Sequence, residues 1–216
     1  MTIAPRIACE PAATVSETTQ TPAQLRTVLR RCLLDARTAI GPDARLARDA
    51  AIAAHLGAWL TQFLAGSSSS EATTRLPALC LGVYWPIRGE PDLRPLYARL
   101  AATGFILALP VMTAPDAPLQ FARWMPDAPL VLDRWGIATP QTILPVDPSV
   151  LLIPCVGVNA TGHRLGYGGG FYDRTLASRQ PRPLAIGIAT DGARCNFNAA
   201  AHDMPMDVVI TETRPA

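Results

Sequence analysis

Residues 151–174 read LLIPCVGVNATGHRLGYGGGFYDR. The apolar run Val150–Cys155 has the length and composition of a buried strand. A long loop follows, then a glycine-rich turn. Gly166, Gly168, Gly169 and Gly170 let the backbone fold tightly and bring several N–H groups toward one point. A helix is predicted over about Gly170–Arg179. A helix N-terminus directly after such a turn favours an anion. Arg164, at the start of the turn, suits a bidentate grip on phosphate oxygens. Asp173 is placed to hold Mg²⁺ beside those phosphates. The plainer alternative is a turn that only packs a helix closely onto a sheet. The dinucleotide fingerprint is not met, because G-x-G-x-x-G from Gly166 needs glycine where Phe171 stands.

Working outward, the chain alternates apolar runs with helical segments. Strands are predicted at Ala78–Tyr84, Gly104–Pro110, near Leu119–Arg123, at Val150–Cys155, Leu184–Thr190 and Asp207–Thr211. Helices are predicted at Pro91–Ala101 and after the glycine turn. Such alternation implies an α/β, three-layer sandwich with a largely parallel central sheet. An N-terminal helical pair precedes it. Thr21 is a candidate N-cap with Pro22 at the first helical position and Gln24 three residues on. Leu25, Val28, Leu29, Cys32 and Leu33 form an apolar stripe, with Arg26, Arg30 and Arg37 off it. The second helix is expected over about Asp43–Leu64, with Leu46, Leu56, Leu60 and Phe63 inward. Residues 1–20 lack periodicity and read as a flexible tail; Gly66–Thr74 reads as a serine-rich connector. The remainder, 21–214, is one domain.

Composition narrows the function. Among 216 residues there are 19 arginines and no lysine. That excludes a lysine Schiff base and a P-loop, both of which need Lys. With 35 alanines in the same chain, coding bias is the plain explanation. The net charge of +2, without a basic run, argues against nucleic acid as a partner. No stretch reaches 18 consecutive apolar residues, so no membrane span is expected. Met1–Gln20 carries Glu10 and Glu17 and lacks the apolar centre of a secretory signal. Five scattered cysteines without C-x-x-C fit reduced thiols in a cytoplasmic protein. Cys155 has no adjacent base and reads as a core residue. His163 reads as surface, and His55 as solvated or packed on a helix.

The segment GHRLGYGGGFYDR resembles the signature of the 5-formyltetrahydrofolate cyclo-ligase (5,10-methenyltetrahydrofolate synthetase) family. YWPIRGEPDL (Tyr84–Leu93), Pro110, Phe121, GIATP (Gly136–Pro140) and HDMPMDVVITE (His202–Glu212) follow in the family's order and spacing. So do Leu25–Arg26 and a later Arg37. The resemblance covers about residues 22–212. It implies the NagB/RpiA/CoA-transferase-like fold and an ATP- and Mg²⁺-dependent ligase. Such an enzyme converts 5-formyltetrahydrofolate to 5,10-methenyltetrahydrofolate through a phosphorylated formyl group, releasing ADP and phosphate. Phosphorylation turns a poor formamide leaving group into a good one. Such chemistry asks for positioning and charge stabilisation rather than a covalent nucleophile. An inactive relative that binds nucleotide or reduced folate in regulation or storage is the alternative. An isomerase or CoA-transferase would leave Glu90 and the carboxylates unexplained.

Position by position, the resemblance implies these roles. Arg164, Leu165, Gly166, Tyr167, Gly168, Gly169, Gly170, Phe171 and Tyr172 wrap the ATP phosphates and reach the formyl group, with Arg164 and Tyr172 as catalytic candidates. Tyr167 to Phe171 also lie near the folate. Arg26 contacts ATP from the first helix. Asp173 and Asp203 are Mg²⁺ ligands. Glu90 orients the folate, and Trp85 is placed to stack on the pterin. The expected partner is the small-molecule substrate alone, with the chain a monomer. Three positions depart from the family's pattern. Pro22 stands where a lysine is usual, the glutamine before His202–Asp203 is missing, and Val158–Asn159 replaces an aromatic. Arg30 or Arg31, one turn further along the first helix, is the candidate replacement for the missing cation.

Overall fold

The structure, a computed structural model, describes residues 21–66 and 79–213. The expected N-terminal tail, the serine-rich connector beyond Gly66 and the start of the Ala78–Tyr84 strand lie outside the described residues.

Helix α1 (Pro22–Thr38) begins as its sequence dictates. The Gln24 N–H donates to Thr21 Oγ1 and the Thr21 N–H to Gln24 Oε1, with Pro22 at the first position. Two otherwise unpaired N–H groups are satisfied in this way. Helix α2 (Pro42–Gly66) follows after a short turn. The central sheet contains β1 (Cys80–Gly82), β2 (Ile106–Val111), β3 (Gln120–Trp124), β6 (Val150–Pro154), β9 (Leu184–Ile188) and β10 (Val208–Ile210). Their order is β10-β9-β6-β1-β2-β3, and all neighbours are parallel except β2 and β3. Two small hairpins stand apart: β4 (Leu130–Leu132) with β5 (Ala138–Pro140), and β7 (Gly157–Val158) with β8 (Arg164–Leu165). The first lies in a polar stretch for which the sequence reading assigned no strand.

Successive strand residues point to opposite faces, so the sheet has two cores. Val150 and Leu152 join Ile52, Leu56 and Leu60 of α2, and Leu96, Tyr97 and Leu100 of α3 (Arg94–Ala102). Leu151 and Ile153 join Phe121, Ala185, Val209 and Leu176 of α4 (Phe171–Ser178) on the other face. This is the expected three-layer arrangement. Helix α3 starts three residues later than predicted, because Pro91 is held in the preceding loop, its carbonyl accepting a 2.7 Å bond from the Tyr84 hydroxyl. The ends of the other elements differ from expectation by two residues or fewer, β1 being confined to Cys80–Gly82.

Two expectations about helix faces fail. Leu46 is 70% exposed. In its place the buried Arg48–Asp49 pair faces inward, with 2.6 Å between Arg48 Nη2 and Asp49 Oδ1. Phe63 is half-buried and stacks on Trp59. On α1, Leu25 and Val28 are exposed while Arg37 is buried. Arg26, Arg30, Leu33 and Arg37 are spaced by four, three and four, so they share one face. That face docks onto the rest of the protein, and of the apolar stripe only Leu25 and Val28 are left exposed.

Candidate active site

The β7–β8 hairpin presents the glycine turn. Asn159 closes it: Oδ1 accepts from the N–H groups of Thr161 and His163, and Nδ2 donates to the Phe197 carbonyl. Val158, in place of an aromatic, is buried and pairs with Arg164 across the hairpin. His163 is half-buried rather than at the surface, because it bridges to Pro205 and its ring meets Thr161 Oγ1 at 3.0 Å. Gly168 and Gly170 have φ values of +101° and +63°, backbone that side chains other than glycine's strain to adopt. Gly170 is also the N-cap of α4. The first turn of that helix therefore points its N–H groups back into the loop.

Arginines surround this loop. Arg30 donates from Nε to the Gly166 carbonyl at 2.7 Å, and its guanidinium passes Gly168. Burial, then the neighbouring charge of Arg26, lowers its pKa, as expected of a cation held near others. Arg31 is exposed. Arg174 donates to the Gly169 carbonyl. Arg164 was expected as a free grip at the loop entrance, but it is 6% exposed and already paired. Its Nη2 lies 2.7 Å from Asp173 Oδ2. Its Nη1 is buried without a hydrogen-bond partner among the described residues. A buried guanidinium nitrogen without an acceptor is costly, so this site fits an incoming oxyanion.

The two expected metal carboxylates come together through the backbone. Asp173 Oδ1 accepts from the N–H of Met204, the residue after Asp203. Asp203 Oδ2 accepts from Arg26 Nη1 at 2.8 Å and from the Ala200 N–H, while Oδ1 lies 3.8 Å from His202 Nε2. Burial works against the Asp203 charge. The Arg26 and Ala200 bonds and the Arg26 charge outweigh it, holding the carboxyl below its ordinary range. No group of three or more His, Cys, Asp or Glu side chains converges among the described residues. A cation here would meet one or two hard carboxylate oxygens and fill its remaining positions with water or phosphate. That donor set fits Mg²⁺.

Glu90 lies at the end of the β1–α3 connection and is 4% exposed. It is not in the helix. Oε2 accepts from the Ile87 N–H at 2.9 Å, and Oε1 accepts from the Tyr167 hydroxyl at 2.7 Å. Burial raises its pKa. The Ile87 and Tyr167 bonds and the charges of Arg37 and Arg88 offset this only in part. Arg37 Nη1 donates to the Tyr167 oxygen at 3.3 Å, and Nη2 to the Cys155 carbonyl. Tyr172, expected as catalytic, is packed against the second core with the Arg164 guanidinium 5.7 Å from its ring centre. Burial raises the pKa of its phenol, so the hydroxyl stays protonated at neutral pH. Trp85 meets Trp124 edge to face at 6.0 Å and carries the Arg94 guanidinium 4.9 Å from its ring centre. Trp124 also lines a cavity of about 290 Å³ with Arg123, Met125, Pro140 and Leu144, none of which belongs to the glycine loop. Cys155 is a core residue as expected, its thiol pushed up to about 12 by burial.

Arg37 and Arg174 hold site contacts that no sequence motif predicts, and of Arg30 and Arg31 it is Arg30 that reaches the loop. The signal for the first helix was present: arginines at helical spacing mark a face as surely as leucines do.

The fold and site define an α/β protein with an arginine-ringed glycine loop beside a buried carboxylate. Residues 22–212 match the 5-formyltetrahydrofolate cyclo-ligase family. A 5-formyltetrahydrofolate cyclo-ligase of Mycolicibacterium smegmatis is 33% identical over 140 residues, covering 61% of this chain and 72% of the relative. That of Escherichia coli K12 is 33% identical over 142 residues, covering 62% and 78%. The 5,10-methenyltetrahydrofolate synthetase of Aquifex aeolicus superposes with a TM-score of 0.69 at 26% identity, covering 88% of this chain and 91% of that one. The Mycoplasma pneumoniae synthetase superposes with a TM-score of 0.68 at 23% identity, over 87% and 98%. The chain belongs to the 5-formyltetrahydrofolate cyclo-ligase family. No helix among the described residues is long and apolar enough to cross a membrane.

Proposed function

We propose that the protein converts 5-formyltetrahydrofolate to 5,10-methenyltetrahydrofolate at the expense of ATP. The observation that carries this reading is the glycine loop of Gly166–Gly170, closed by the α4 N-terminus and adjoined by Arg164, whose buried Nη1 has no hydrogen-bond partner among the described residues. Triphosphate oxygens suit that set of donors. Arg30 supplies the loop-facing cation in a chain that has Pro22 where a lysine is usual. Arg26 sits beside it through Asp203. Mg²⁺, held by Asp173 and Asp203, would neutralise phosphate charge when bound. Arg164 and Tyr172 serve the formyl end of the loop. Glu90 holds the reduced folate by accepting from its N–H groups, and Trp85 offers an aromatic face to the pterin.

The chemistry then needs little from the protein beyond placement. The formyl oxygen attacks the terminal phosphorus of ATP, and ADP leaves. N10 of the folate adds to the activated carbon and loses its proton. The C–O bond breaks, and phosphate departs with the oxygen. The arginines stabilise charge gathering on the phosphoryl oxygens, and the loop excludes water. The test is the absorbance of methenyltetrahydrofolate on mixing the protein with 5-formyltetrahydrofolate, ATP and Mg²⁺. Product formation that requires all three is the expected result. Folate binding without product at saturating ATP would favour the regulatory or storage reading.

A further inference from the structure

Three separate elements meet at one hydroxyl. Tyr167 belongs to the glycine loop, Arg37 to the last turn of α1, and Glu90 to the connection after β1. The Tyr167 hydroxyl donates to Glu90 at 2.7 Å and accepts from Arg37 at 3.3 Å. Arg37 is itself anchored on the Cys155 carbonyl, just beyond β6. The Tyr167 ring, by contrast, borders solvent and has the Arg88 guanidinium 5.5 Å from its centre. The tyrosine therefore has a fixed tip on a loop whose body is open.

We propose that Tyr167 is a positioning residue that ties the nucleotide loop to the folate-side carboxylate, aiming Glu90 at the folate when the loop is seated. This rests on the functional reading above. Among the described residues the Glu90 carboxylate has one other hydrogen bond, from the Ile87 N–H to Oε2. Without the tyrosine hydroxyl, Oε1 would have no donor holding it, and the carboxylate plane would be free to turn about that single anchor. Arg37 meanwhile directs the lone pairs of the tyrosine oxygen toward itself. The phenolic proton is thereby turned to Glu90. Tyr167 also influences the charge on Glu90. Burial favours the neutral acid, and the hydroxyl bond is one of the few opposing influences. The charged and titratable groups around Glu90 are Arg37 from α1, Arg88 from its own loop, and Tyr167 from the glycine loop. The buried Arg48–Asp49 pair of α2 lies alongside, Arg48 Nη2 donating to the Gly89 carbonyl at 3.3 Å. Four further groups are Tyr84 just beyond β1, Tyr97 of α3, Tyr172 of α4 and Cys155 after β6. Burial raises the pKa of all four, so they are neutral at physiological pH.

The test is Tyr167→Phe, which keeps the ring and removes the hydroxyl. The folate KM should rise about fivefold to tenfold while the ATP KM stays within about twofold. The acid limb of the kcat/KM profile should move to higher pH. A readout independent of turnover comes from ¹³C-carboxyl NMR, since the chain has only five glutamates (Glu10, Glu17, Glu71, Glu90 and Glu212). Glu90→Gln identifies the signal. In Tyr167→Phe the Glu90 titration midpoint should move up. An unmoved midpoint overturns the proposal. So does an ATP KM that rises as much as the folate KM, which would mean that the loop has merely loosened. If the wild-type protein makes no methenyl product yet the midpoint moves, the functional reading fails and the tyrosine–carboxylate link stands.

Discussion

Arg26 on the first helix donates to Asp203 near the C-terminus across 2.8 Å, joining residues 177 positions apart. The bond holds α1 over the carboxyl ends of the strands, where open α/β sheets place their ligands. Without it, Arg30 and Arg37 would lose a support for their positions on the loop.

The first prediction concerns acid stability. Asp203 has a depressed pKa, so its contribution to stability is fully present above the ordinary carboxyl value of 3.8. It is lost as pH falls through the depressed value. Asp203→Asn should therefore lower the melting midpoint at pH 7 by roughly 2–4 °C, for the loss of about 1 kcal/mol. The gap between variant and wild type should close as pH falls through that depressed value. Thermal melts at a series of pH values check both the size and the window.

Asp173→Asn should cost more than catalysis. Its carboxylate neutralises Arg164, whose side chain is 5% exposed. Breaking a buried pair on one side costs about 3–5 kcal/mol. Urea unfolding should show a loss of that order, together with loss of the Mg²⁺-dependent activity. A variant with undiminished turnover would remove Asp173 from the metal site.

Arg30→Met tests the replacement cation. The substitution keeps the stem against the loop and removes the charge and the bond to Gly166. The ATP KM should rise about tenfold, the equivalent of roughly 1.4 kcal/mol, with the folate KM little changed. Arg31→Met, on the exposed side, should leave both constants as they were.

The sheet itself supplies a control. A Cβ on Gly82 would lie 2.5 Å from Leu151 Cδ2 and 2.8 Å from Phe121 Cε1. Gly82→Ala should destabilise the fold by about 1–3 kcal/mol through overpacking. Denaturant melts should show this loss, with substrate KM values unchanged in the folded fraction.

Much of the fold was legible because burial leaves a periodic trace. The strands Val150–Pro154 and Leu184–Ile188 are apolar on both faces because both faces are covered. The capping box at Thr21 is local chemistry, readable from four residues. The glycine loop was legible for the same reason. The β4–β5 hairpin was not, since Leu130–Leu132 and Ala138–Pro140 are short and set in a polar stretch.

Sequence alone determined the order of the central strands and the helices, the glycine-rich turn at Gly166–Gly170 and the family resemblance, since each rests on local pattern or on motifs in order. Only the tertiary structure decided which face of α1 is inward. Hydrophobic spacing favoured Leu25 and Val28, but the facing surface is polar: carbonyls of Gly166 and Cys155, the Asp203 carboxylate and the Tyr167 hydroxyl. Acceptors brought together from distant segments select donors, so the arginines turn in beside Leu33 while Leu25 and Val28 stay out. The pairing of Arg164 with Asp173 and the suspension of Tyr167 between Arg37 and Glu90 are likewise invisible along the chain. They exist because folding brings into one place charges and hydroxyls that the sequence keeps apart.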